Sequence, residues 1–243
     1  MLVAVGRSVG RNVPLVGGGV VASPTWRWCP DEVLHLVADH TEAITHPEKA
    51  PGNFLVLSGG LGYLKGNEGS GWFFGIESLR AAARGADGRG PTTALLPMIL
   101  DAWQLSDIRE CLGVLYREDF RRFEVAQLAP AVFRVAREGD AVALDIVRHG
   151  ADSLAHHALG VADQLHGSHD AIDIYPTGGI FGAGGLILEP FRYIVRDHCP
   201  DARIHSPRYS PALGALIRAA QQHGLAIDDA FLARLDETMQ ASA

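Results

Sequence analysis

Between Gly59 and Gly75 the chain places seven glycines in seventeen residues around a polar centre, Lys65-Gly66-Asn67-Glu68. That density excludes a packed helix or strand. Glycine is favoured where a backbone must take a positive φ or lie close to another group, so the segment reads as a binding loop or a structural turn. It lies between the apolar run at residues 54–57, a strand by pattern, and residues 72–84, where Phe73, Ile76, Leu79 and Ala83 recur at helical spacing. Asn67 and Glu68 at its tip can offer an amide and a carboxylate to hydroxyl groups. Glu68-Gly69-Ser70 directly precedes the helical pattern, so a solvated loop or a helix cap is the competing reading.

The rest of the chain is helix-rich around short strands. Helices are expected over 30–46, 93–103 and 107–115, and as a long pair over 125–165 broken at Glu138-Gly139-Asp140. The stripe Val125, Leu128, Ala129, Val132, Val135 and Ala136 reads as core. Residues 1–30, rich in Gly, Val and Pro, read as one or two short strands. Residues 171–175 form a strand that delivers Thr177-Gly178-Gly179 to a helix over 186–199, an order in which helix N-terminal amides point at whatever occupies the turn. A short strand over 203–206 and a closing helix over 211–223 follow.

Composition narrows the function classes. With 47% hydrophobic residues in 243, the chain can bury a sizeable core as one or two domains. A net charge of −7 argues against nucleic acid as a partner, which needs a concentrated basic face. No stretch approaches the ~20 apolar residues that span a bilayer, and no signal peptide is visible, so the expectation is a cytoplasmic protein with no membrane partner. Cys29, Cys111 and Cys199 are too far apart for a disulfide framework or a paired-cysteine metal site. His156, His157, His166 and His169 lack the spacing of a zinc motif, so no metal ligand is assigned.

Three segments together resemble the BadF/BadG/BcrA/BcrD-type ATPase family, which includes N-acetylglucosamine and glucosamine kinases and belongs to the actin/hexokinase-like ATPases. The run from Gly59-Gly60-Leu61-Gly62 to Asn67-Glu68-Gly69-Ser70-Gly71-Trp72 is similar to that family's GGxGxxxGDEGSG element. The segment 124–165 is similar to its helical insert. Residues 173–181 with Pro211-Ala212-Leu213-Gly214-Ala215 resemble its adenosine motif and pocket-closing element. The resemblance covers residues 51–223. It implies an α/β fold, an actin-like ATPase (ribonuclease H-like) lobe with a mixed sheet and flanking helices, preceded by an atypical segment over 1–50 and followed by a tail helix over 224–243.

It also implies phosphorylation of an amino sugar or related hexose, with ATP and Mg2+ as cofactors. Gly62, Asn67 and Glu68 would then stand at the sugar, and Gly178, Gly179 and Gly214 at the nucleotide. A homodimer is compatible with the resemblance. The family's activator ATPases, which need clustered cysteines for an iron–sulfur cluster, do not match the cysteine spacing. Three departures stand out. The family's opening Asp-Gly-Gly-Gly-Thr is absent, Leu15-Val16-Gly17-Gly18-Gly19 lacking both the aspartate and the threonine. Its second phosphate loop and catalytic-base aspartate are not recognisable in residues 20–53. Asn67 stands where the family usually has aspartate, and an amide can orient a hydroxyl but cannot act as a base. The expectation is therefore an N-terminal lobe missing or incomplete, an unassigned catalytic residue, and a chain that is either impaired in phosphoryl transfer or a non-catalytic sugar- or nucleotide-binding lobe.

Overall fold

The computed structural model describes residues 2–6, 58, 67–166, 173–209, 213, 214, 217, 220 and 223–241. The expected helix over 30–46 and the expected strand over 54–57 lie outside these residues.

Helix α1 (Gly71–Ala86) starts inside the glycine-rich segment and takes in its last five residues, 71–75. Ser70, in extended backbone geometry, accepts the Phe73 amide through Oγ at 3.3 Å, satisfying one of the orphan donors of the first turn. Its inner face buries Phe74, Gly75, Ser78, Leu79, Ala81 and Ala82. Phe74 is fully buried, a burial that contributes about 2 kcal/mol, and its ring packs against Phe133 at 4.8 Å between centroids. Gly75 is where α1 touches α4 (Arg122–Ala126), because a Cβ there would stand 2.0 Å from the Val125 carbonyl oxygen.

Helix α2 (Leu95–Trp103) and a 3-10 turn (Ile108–Glu110) running into α3 (Cys111–Leu115) complete the first helical layer. The segment expected as one helix over 107–115 thus begins as a 3-10 turn. The Asp107 carboxylate accepts the Arg109 amide at 2.8 Å and tightens that first turn. The expected long pair is a short helix followed by two longer ones: α4, α5 (Ala129–Arg137) and α6 (Ala141–His166). Every member of the anticipated stripe, from Val125 to Ala136, is buried.

The break at 138–140 has a specific cause. Asp140 accepts the Ala143 amide at 2.9 Å and so caps α6. The same carboxylate accepts the Ala94 amide at 2.8 Å and the Thr93 hydroxyl at 3.0 Å, at the start of α2. One side chain therefore fixes two helix starts to each other. Burial alone would raise its pKa, but the hydrogen bonds from Ala143, Ala94 and Thr93 prevail and hold the carboxyl below the usual aspartate value.

Strand β2 (Asp173–Thr177) is the middle of a three-stranded mixed sheet in the order β1-β2-β3. β1 (Leu2–Gly6) pairs antiparallel to it, with Leu2 opposite Thr177 and Gly6 opposite Asp173, and β3 (Arg203–Ile204) pairs parallel to it. The parallel pair is joined by α7 (Gly185–His198), as a crossover requires. The mixed sheet was expected; its pairing with residues 2–6 was not. α6 packs along α7 and against β1, α1 and α5, with small residues (Ala143, Ala151, Ala155, Ala158) on its buried face. The described positions of the expected closing helix, 213, 214, 217 and 220, are helical. A tail helix α8 (Asp229–Ala241) joins Tyr209, Ile217 and Leu232 in a satellite cluster, with an Arg208–Asp236 ion pair beside it. No helix among the described residues is long and apolar enough to cross a membrane.

Two outcomes follow from the packing. Asp140→Ala should lower unfolding free energy by about 2 kcal/mol, the sum of two lost caps. Because the folded carboxyl titrates below its ordinary value of 3.8, that contribution is complete above about pH 4 and is lost as the pH falls through the folded pKa. Urea denaturation of wild type and variant should therefore converge in acid. Gly75→Ala should cost about 3 kcal/mol, measurable in the same assay.

Candidate functional site

The loop before α1 rests on α6 with no room for side chains between them. Gly69 has φ of +71°, a conformation natural to glycine, and a Cβ there would lie 2.5 Å from Leu154 Cγ and 2.8 Å from the Gly150 carbonyl oxygen. A Cβ on Gly150 would in turn meet the Phe74 ring at 2.3 Å. The Asn67 carbonyl accepts both the Ser70 amide at 3.1 Å and the Ser70 hydroxyl at 2.6 Å, closing the turn. Ser70 therefore does the capping, and the side chains of Asn67 and Glu68 are left for other uses.

The Glu68 side chain faces α6. Glu68 Oε2 lies 3.6 Å from His157 Nε2, and the Ser58 hydroxyl lies 3.4 Å from His157 Nδ1. Ser58, Glu68, Asp152, Ser153, His156 and His157 line an open cleft of about 460 Å³. Glu68 Oε2, at this cleft, and Asn67 Oδ1, one residue before it, are buried acceptors with no hydrogen-bond partner among the described residues. The Glu68 side chain as a whole is 44% exposed, so its stem faces solvent while Oε2 is turned inward. A buried acceptor without a donor costs on the order of 1–3 kcal/mol. The arrangement suits a ligand that brings hydroxyl or amine donors.

The structure brings Asn67 and Glu68 together as the sequence suggested, while Gly62 lies outside the described residues. His157 and Ser58 were not anticipated as part of this site. A signal existed: Gly150, Leu154 and His157 recur at i, i+4 and i+7 on α6, and each meets a successive part of the segment 68–74. His156, its neighbour, points elsewhere, with Nδ1 2.9 Å from the Asp152 carbonyl and its ring against His198.

The second glycine site follows β2. Gly178 has φ of +110°, and residues Gly179–Ala183 form a 3-10 turn closed by the Phe181 amide donating to the Gly178 carbonyl at 3.1 Å. Buried Phe181 anchors this turn edge-on to Phe191 of α7. A Cβ at Gly179 or Gly182 would meet nothing within 4 Å, so a ligand can approach the backbone there. Helix α7 begins at Gly185, one residue before the expected start; the intervening residues form a 3-10 turn, so the helix N-terminal amides lie beyond that turn and not, as expected, at the glycine pair. Arg137 of α5 donates to the Ala183 carbonyl at 3.0 Å and ties this turn to the helical layer. Gly214 is buried at a helical position. Among the described residues no group of three or more His, Cys, Asp or Glu converges as a metal site, so none is named for Mg2+.

The opposite end of β2 is structural. Asp173 accepts from Arg203 at 2.8 Å and pairs with His205 Nε2 at 2.6 Å, and the His205 ring stacks on Tyr175 at 4.9 Å. Burial, reinforced by the Asp173 charge, pushes the Tyr175 hydroxyl above its usual pKa. This cluster locks β3 to β2 and so holds the strand that presents Gly178.

The model of the BadF/BadG/BcrA/BcrD ATPase family matches residues 52–219. An N-acetylmuramic acid/N-acetylglucosamine kinase of Clostridium acetobutylicum is 29% identical over 165 residues, covering 68% of this chain and 54% of that protein. An N-acetyl-D-glucosamine kinase of Dictyostelium discoideum is 28% identical over 166 residues, covering 67% and 51%. The chain thus spans about half the length of these curated relatives. A crystal structure of a provisionally named N-acetylglucosamine kinase from Chromobacterium violaceum superimposes with a TM-score of 0.51 at 23% identity, covering 70% of this chain and 53% of that one, a likeness of fold. With the family model matching more than two thirds of its residues, this chain belongs to the BadF/BadG/BcrA/BcrD ATPase family.

Proposed function

We propose that this chain binds an amino sugar, N-acetylglucosamine or glucosamine, or a related hexose, and serves its ATP-dependent phosphorylation. The observation that carries this reading is Glu68 Oε2, a buried acceptor at a cleft on α6 with no hydrogen-bond partner among the described residues, with Asn67 Oδ1 in the same condition one residue before it. A sugar supplies the missing donors from adjacent hydroxyls, and polar groups placed in a preformed cleft are how such ligands are oriented. In this reading Asn67 and Glu68 hold hydroxyls in place, and Gly62 belongs to the same loop.

Gly178 and Gly179, with Gly214, take the adenosine of ATP against bare backbone. When bound, Mg-ATP supplies the transferable phosphoryl group and the charge neutralisation that phosphoryl transfer requires. The chain's own part is positioning. Asn67 orients a hydroxyl without removing its proton, because an amide is not a base at neutral pH. The sugar kinase names of the two relatives support the substrate class.

Calorimetric titration with N-acetylglucosamine and glucosamine tests the sugar half. Glu68→Ala should weaken binding about 10-fold, the size expected for one hydrogen bond to a charged group, with no change in melting temperature. Equal binding by wild type and variant would make the loop structural. Millimolar ATP should perturb the amide signals of residues 178–182. An ADP-release assay over a panel of hexoses and amino sugars then separates a kinase from a lobe that binds without turnover.

A further inference from the structure

We propose that His157 is a positioning residue for the sugar site, holding the Glu68 carboxylate in its inward orientation; this rests on the sugar-binding reading above. The ring is fixed from both sides. Ser58 Oγ stands 3.4 Å from Nδ1, and Glu68 Oε2 stands 3.6 Å from Nε2. The Ser58 contact fits either tautomer; with the hydroxyl taken as donor to Nδ1, the ring proton sits on Nε2 with its N–H toward the carboxylate.

The two distances define the role. At 3.6 Å the imidazole is beyond full hydrogen-bond reach, so it attracts Oε2 without saturating it. Oε2 therefore stays buried and still free to accept from a ligand. Without the ring, a side chain already 44% exposed can swing to solvent. His156 does not substitute, since its ring is turned to Asp152 and His198. His157 itself is only 23% exposed, and its place is set by the same contact of α6 with Gly69 that positions the loop.

Two measurements on the full chain test this. Long-range proton–nitrogen correlation spectra of the histidine side chains should show His157 protonated on Nε2, with Ser58→Ala shifting it toward a tautomer mixture. Calorimetry with N-acetylglucosamine and glucosamine should show His157→Ala weakening binding about 10-fold, in line with one lost interaction to a charged group. His157→Gln, which keeps an N–H donor, should recover most of that loss. The double variant Glu68→Ala/His157→Ala should bind no more weakly than Glu68→Ala alone, because both act through one carboxylate. A helix residue that merely packs would not produce that non-additivity.

Wild-type affinity in His157→Ala, losses that multiply in the double variant, or a ring protonated on Nδ1 would each overturn the proposal while leaving Glu68 at the sugar. Failure of the wild-type chain to bind either sugar would instead overturn the sugar-binding reading and this inference with it. If His157→Ala does not fold by circular dichroism, Ser58→Ala decides: a His157 tautomer unchanged from wild type would overturn the proposal.

Discussion

The contact between the 67–70 turn and α6 governs the geometry of this molecule. It is a backbone-to-helix approach that only glycine permits: Gly69 rests on Leu154 and on the Gly150 carbonyl, and Gly150 in turn makes room for Phe74. Phe74 sits in the middle of the core, so the first turn of α1 is pinned by its largest buried side chain. Once that turn is pinned, Ser70 satisfies the helix start and Asn67 closes the loop through its carbonyl. The Glu68 side chain is then directed into a polar cleft, and its Oε2 and the Asn67 Oδ1 are buried with no hydrogen-bond partner among the described residues. An unsatisfied pair in such a place is costly, and the cost is recovered when a ligand supplies donors.

Helix α6 links this cleft to the rest of the fold. It presents His157 to Glu68, packs along α7 and touches the sheet through β1. Its own start is held by Asp140, which also fixes α2. α5 carries Arg137 to the turn after Gly178. The two glycine sites are thus mounted on a common helical frame rather than on independent loops. Under the proposed function, a rigid frame between acceptor and nucleotide is the main contribution a scaffold can make, because positioning and charge dominate phosphoryl transfer.

The family relationship and the geometry agree on where to look. The matched region, residues 52–219, contains both glycine sites, whereas β1 lies outside it. That strand nevertheless completes the sheet by covering one edge of β2 along its full five residues. The Asp173, Arg203 and His205 cluster secures the other edge. The strand that delivers Gly178 is therefore clamped on both sides, and its terminal turn inherits that rigidity.

Much of this was legible in the sequence because it depends on local rules. Hydrophobic spacing marked the buried stripe from Val125 to Ala136, Gly139-Asp140 marked the break between α5 and α6, and the apolar spacing over 72–84 marked α1, whose first turn takes in the last glycines of the 59–75 run. Each follows from backbone sterics or from a 3.6-residue period, which neighbouring residues encode. Tertiary structure alone decided the rest. It paired residues 2–6 with a strand 170 residues away, inserted a 3-10 turn after Gly178, and set His157 and Ser58 beside Glu68. Those placements arise from surfaces brought together across some hundred residues of chain, where packing and close approach, rather than local propensity, determine which groups meet.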